Sequence, residues 1–506
     1  MQVSGRLHIS HKPMIAVALL AGVMGFGLLL IVAKTSLLVI ISATVIILSL
    51  WLMQKAVGLF NLRALSLPGF WYLVYVAIIL VPSFFVYAEQ IDPYRLRFLV
   101  AVESALLTVP LGIILVKLFF KFHVRETVAF YRTSLQPGRS DLSVITFVLF
   151  LGLAWALTLS YVREVKEIPL FYMLAHPGES AMLSQLREES LKLLDSPLRY
   201  AYSLLMSTLY PFLILFAFSR YLQTRQKSWG WLFAASLLSG GMFSAFTIAK
   251  SPVAALFLMV CACYYLYRGG KVGGKFILSF VVLFLAFPFF VIVREYGGGV
   301  DPVVAMGHRI FYAPALGLYY YFEVFPDVVP YQYGGTIGKL AWILGRQPFQ
   351  SENFVGLYAS PHTGASVNAN AAFLGNMNAD FGMVGCLIGG LLVGIIMQAA
   401  QIYIVRHGKS AMSVAVYSFL LFHFALLNSS ALPVVLLSHG AMLVFLVAWT
   451  MRAIDSVLPG HARAVSLASP REQTFPGRRQ DLATSPGESA TSRKRLLLAR
   501  QLFKRG

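Results

Sequence analysis

Along this chain the apolar positions neither alternate every second residue nor recur at a helical interval; they run together in long blocks. Such blocks read as helices that are apolar on every face, the pattern of bilayer spans. Twelve are expected, over residues 14–33, 36–53, 70–88, 98–121, 141–161, 199–222, 229–249, 251–267, 275–293, 372–402, 411–427 and 430–452. The first is too long for the core of a signal peptide, and "IVAKTS" is a poor cleavage site followed at once by another block, so it reads as a retained helix. The expected fold is an all-α polytopic membrane protein, with one transmembrane domain over 1–452.

Two long polar intervals interrupt the blocks, at about 162–198 and 294–371. In the first, Met182, Leu183, Leu186, Leu191 and Leu194 stand among charges, which predicts an amphipathic helix lying along the membrane surface. The second contains "GHRIFYAPALGLYYYFEVFP", Gly307 to Pro326, expected as a partly buried or re-entrant helix with Pro314 early and Pro326 at its end. Small and turn-forming residues from Tyr358 to Asn378 predict a loop leading into the tenth span. Residues 453–506, rich in Ser, Pro, Gly and Arg, read as a disordered basic tail.

Composition agrees: 58% of residues are hydrophobic and 12% charged, about half the charge of a soluble domain. A net charge of +20 raises the question of nucleic acid, and its placement answers it. With the N-terminus inside, the connections 54–69, 117–140, 220–228, 268–275 and 403–410 and both tails hold most of the 41 Lys and Arg. "RYLQTRQKS" and "RGGKVGGK" carry no acid at all, as cytoplasmic connections should. The charge is a topology signal: both termini are expected in the cytoplasm, both long intervals outside, and no nucleic acid bound. His308 and Arg309 are then expected to face the exterior at headgroup depth.

Familiar catalytic motifs are missing. "GGKVGGK" (Gly269 to Lys275) nearly spells a phosphate-binding loop, but Phe276 replaces the magnesium-binding hydroxyl and no strand precedes it. No Asp-x-Asp, Gly-x-Ser-x-Gly, His-Glu-x-x-His or Cys-x-x-Cys occurs. Cys261, Cys263 and Cys386 all lie in apolar blocks and read as packing residues. The expectation is chemistry without a metal or cofactor.

Outward-facing cations remain: Arg199, Lys250, Arg294 and Arg309, with His308 beside the last. A charge near the membrane is costly to insert, so several on one side point to an anionic ligand. A lipid-linked pyrophosphate would suit them, since arginine binds phosphate through forked hydrogen bonds. Acids and bases on that side are Glu295, Asp301, Glu323, His362 and Asp380; Glu103, His423 and His439 lie within spans.

Three stretches resemble the bacterial oligosaccharide repeat-unit polymerases, the Wzy-type O-antigen and exopolysaccharide polymerases: "AKSPVAALFL" (Ala249 to Leu258), "RIFYAPALGLYYYF" (Arg309 to Phe322) and "NADFGMVGCLIGGLLVG" (Asn378 to Gly394). The resemblance implies an inner-membrane glycosyltransferase that joins polyprenyl-pyrophosphate-linked oligosaccharides at the outer face. It implies a flippase and a chain-length regulator as partners, besides membrane lipid. On this reading Arg309, Arg294, Lys250 and Arg199 hold the pyrophosphate; His308, Glu295 and Asp380 are candidates for the base; and Phe311, Tyr312, Tyr319, Tyr320, Tyr321 and Phe322 form a wall for sugar or isoprenoid. A lipid-linked oligosaccharide flippase, which should show paired internal repeats, and an O-antigen ligase are the alternatives.

Overall fold

The computed structural model describes residues 36–136, 142–165, 167–176, 196–246, 248, 250–271, 273–296, 301–360 and 368–457, with single positions between 179 and 190. The expected span 14–33, His362 and the tail beyond Val457 lie outside the described residues.

Every regular element described is helical. Among the described residues nine helices are long and apolar enough to cross a bilayer, from Leu37–Val57 to Val434–Val457. Helices at Lys250–Tyr267 and Gly274–Tyr296 occupy two further expected spans. The tightest pair is Tyr94–Phe120 against Phe373–Arg406. Apolar burial drives little association between helices already in lipid, so close van der Waals packing over small residues must supply it. Glycine provides that here: a Cβ at Gly394 would lie 2.2 Å from the Val109 carbonyl oxygen, and one at Gly112 2.2 Å from that of Leu391. Ala411–Ala425 is buried along nearly its whole length and forms the centre of the bundle.

The connections sort to two ends. At the first, the Tyr131 and Tyr417 hydroxyls both donate to the Leu65 carbonyl, at 2.6 and 2.8 Å. There too the buried Lys409 ammonium donates to the Tyr131 carbonyl at 2.9 Å, and Tyr265 donates to Leu62. The connections around residues 62, 131, 268 and 409, expected on one side of the membrane, are thus in mutual contact. Asp455 accepts from the Ser143 and Thr146 hydroxyls, both at 2.5 Å, and ties the last helix to Val144–Glu164 at the same end.

The two long intervals meet the other end. Part of the first forms a short helix, Pro169–Ala175, whose Met173 packs with Leu183, Ile248 and Val291. Residues 182–183, 185–186 and 189–190 are helical, with Leu183 and Leu186 buried; Leu191 and Leu194 lie outside the described residues. In the second, short helices fill much of the interval, including Ser351–Ala359 where a loop was expected to begin.

Candidate functional site

The aromatic stretch begins where Asp301 caps a helix, its carboxylate accepting from Val303 N–H at 2.8 Å and Val304 N–H at 3.3 Å. Pro302–Gly307 continues through a π-helical turn, His308–Tyr312, into Ala313–Val324. The wide turn has a covalent cause. Pro314 has no N–H to offer the Ile310 carbonyl four residues back and its ring crowds that oxygen, so the helix opens by a residue. Val76–Leu80 before Pro82, and Leu205–Leu209 before Pro211, repeat the arrangement.

The His308–Tyr312 turn packs against the Val76–Leu80 turn. That turn is the midpoint of Leu67–Glu89, about 16 Å of helix from its Glu89 end. The His308–Tyr312 turn therefore lies beside a span, with Tyr312 in hydrogen-bond reach of Glu89 at that span's end. The His308 and Arg309 side chains are exposed, and the His308 ring lies 5.0 Å from that of Tyr312.

As the helix rises, its tyrosines meet a charged connection, "EQIDPYRLR", residues 89–97. Tyr312 donates to Glu89 and Tyr319 to Asp92. Arg95 donates to the Gln90 carbonyl at 2.9 Å and lies 4.9 Å from the Tyr87 ring centre. Arg97 faces Asp327 at 3.5 Å, an exposed pair that adds little stability. Tyr358 donates to Glu323 at 2.8 Å, and that bond pushes its phenol up to about 12. The aromatic wall divides: Tyr319, Tyr321 and Phe322 are buried, with Tyr319 and Phe322 edge-on to Phe98, while Phe311, Tyr312 and Tyr320 keep open surface.

Asp380 is 1% exposed and fully engaged. One oxygen accepts from Gly334 N–H at 3.0 Å and Thr336 N–H at 3.1 Å, the other from the Thr336 hydroxyl at 2.6 Å. Gln332 and Tyr333 donate their N–H groups to the Ala379 and Asp380 carbonyls. Asn378 donates to the Tyr321 carbonyl at 3.1 Å. Gly382 then turns the helix at φ 62°, where a Cβ would sit 2.8 Å from the Tyr331 hydroxyl. The "NADFG" stretch is a latch holding the aromatic helix and the 331–336 loop together.

Two of the other predicted residues fall in a second group. Lys250 opens the helix Lys250–Tyr267, and Arg294, half buried, lies near the end of Gly274–Tyr296. Ile248 and Val291 pack in one cluster, which brings these two helix ends together. Arg199 lies in Ser196–Leu204; the side chains of Arg199, Lys250 and Glu295 are outside the described part. Gly274–Tyr296 also packs on Pro302–Gly307, so the groups adjoin. Within the bundle, His423 is buried with Nδ1 2.8 Å from the Phe419 carbonyl oxygen, a satisfied core position. Glu103 is buried with one carboxyl oxygen unpartnered among the described residues. Among those residues no group of His, Cys, Asp and Glu is arranged to hold a metal ion.

Sequence reading passed over Glu89, Asp92, Arg95 and Arg97 because they occupy a short connection. Their signal was density: four charges in nine residues between two spans. Glu352 was missed as well; burial raises its carboxyl above the usual range. Compared with protein-family models, curated proteins and solved structures, the chain matches none.

Proposed function

We propose that this protein polymerises polyprenyl-pyrophosphate-linked oligosaccharide units at the outer face of a bacterial inner membrane, with both termini cytoplasmic. One observation carries the reading. A helical segment bearing exposed His308 and Arg309 packs beside a span and runs on along a tyrosine- and charge-lined connection, at the end of the bundle with both long intervals.

The growing glycan is the donor and a second lipid-linked unit the acceptor. The acceptor hydroxyl oxygen attacks the donor's anomeric carbon, the bond from that carbon to the pyrophosphate oxygen breaks, and its electron pair leaves on the polyprenyl pyrophosphate. Arg309, with Arg294 and Lys250 from two adjoining helix ends and Arg199 as a fourth cation, stabilises that developing charge. His308 takes the hydroxyl proton, a contribution of about 10²- to 10⁴-fold in rate. Phe311, Tyr312 and Tyr320 offer the open aromatic surface on which sugar rings stack. Glu295 shares the base's neighbourhood, whereas Asp380 positions the helix through its latch. Holding both units in register supplies much of the remaining acceleration.

The test is the glycan profile of cells carrying Arg309→Ala, once normal membrane levels of the variant are verified. Loss of long chains by about 10²-fold or more, with single units accumulating on the outer face, is expected. Units accumulating on the inner face would instead identify a flippase. Normal polymer left unattached to the lipid core would identify a ligase.

A further inference from the structure

At the end opposite the candidate site, a cavity of about 350 Å³ opens between the Tyr210–Thr224 and Lys250–Tyr267 helices. Phe218, Val260, Cys261 and Tyr264 line it, with Arg268 and Lys271. Val260, Tyr264 and Arg268 recur every four residues, so one stripe of the chain passes from apolar wall to cation. Lys271 is set by a packed turn: Gly269 and Gly270 have φ of 66° and 76°, and a Cβ at Gly270 would lie 1.8 Å from the Arg63 carbonyl oxygen. Arg268 and Lys271 are exposed, and among the described residues their side chains make no hydrogen bond or ion pair.

Two cations with no acidic partner among the described residues, above an apolar wall and at the end of spanning helices, match one kind of ligand. We propose that this cavity binds an anionic phospholipid. Its phosphate lies between Arg268 and Lys271, and the start of an acyl chain lies along Val260, Cys261 and Phe218. A soluble anion would use the rim alone and leave the apolar wall wet; a zwitterionic lipid would bring its own cation against Arg268 and Lys271. The inference is independent of the polymerase reading, since it concerns a different end of the bundle and rests on no catalytic residue.

The chain carries its own reporter. Of its three cysteines, Cys263 and Cys386 are buried, whereas Cys261 is part-exposed in the cavity wall. The full-length protein would be reconstituted in discs of phosphatidylcholine, with or without phosphatidylglycerol, and the rate of bimane labelling followed. Labelling is expected to slow several-fold when phosphatidylglycerol is present, and to return to the phosphatidylcholine rate in the Arg268→Gln/Lys271→Gln variant. Native mass spectrometry gives a second readout: the wild type should retain phosphatidylglycerol that the double variant loses. Val260→Trp, which fills the cavity and keeps both cations, should lose it too; if that variant does not fold, the exposed double variant still decides. Equal labelling rates in both discs would overturn the proposal. So would protection by inorganic phosphate in phosphatidylcholine discs, which would mark a site for soluble anions.

Discussion

Lys409 shows how far one residue's chemistry depends on a partner distant in the chain. It lies in a short connection between helices, 4% exposed, with its ammonium on the carbonyl of Tyr131, 278 residues away. Burial pulls it down to about 8, whereas an unfolded lysine titrates at about 10.4. Between those values the unfolded chain binds more protons, so stability rises with pH through that window; below about 8 both states hold the proton and the burial cost is fully present. Lys409→Met removes this dependence. The wild-type unfolding midpoint in detergent should therefore gain on that of the variant between about pH 7.5 and pH 10. A constant difference between the two would mean that Lys409 titrates like a surface lysine. From sequence it is one more basic residue in a cytoplasmic connection, because nothing local names Tyr131. Asp380 is a similar case. Sequence marks it as a carboxylate near an interface, but its bonds to Gly334 and Thr336 come from a loop that no periodicity could place.

At the scale of elements, most of the described helices were legible, and which face of each meets protein was not. A spanning helix is apolar toward lipid and toward its neighbours alike, so the amphipathic signal that orients a soluble helix is weak. Glycines are the exception once contacts are known. Gly390 and Gly394 lie four apart on the face that meets Tyr94–Phe120, and a Cβ at Gly390 would come 2.1 Å from the Thr108 hydroxyl oxygen. Gly152, in the middle of Val144–Glu164, has open space around its Cβ position. Gly394→Leu should therefore cost several kcal/mol, about 3 or more, and remove the monodisperse peak on size exclusion, while Gly152→Leu leaves it intact. Equal tolerance of both changes would contradict the close approach of the two helices. The prolines carry a partial signal: Pro82, Pro211 and Pro314 mark interruptions, but only the packing shows that two of the wide turns face each other at mid-span.

For the whole molecule, charge and contacts supply different halves of one argument. Contacts gather the connections near residues 62, 131, 268 and 409 at one end, and join residues 89–97 to the second long interval at the other. They say nothing of which end meets the cytoplasm. Charge supplies the expectation: the first end carries "RYLQTRQKS" and "RGGKVGGK", whose lack of acids is the pattern expected of cytoplasmic connections. If both halves hold, an exposed residue of the long interval and one of a basic connection must lie across the membrane from each other. Gln347 and Ser228, both exposed, suit the test in a background with Cys261, Cys263 and Cys386 changed to serine. Gln347→Cys should react with an impermeant maleimide on cells whose outer membrane alone is opened, and Ser228→Cys only after the inner membrane is breached. Reaction of both from one side would break the division into two ends and remove the outward setting of His308 and Arg309. The reverse pattern would keep the bundle but turn the candidate site toward the cytoplasm, where joining units at the outer face is impossible.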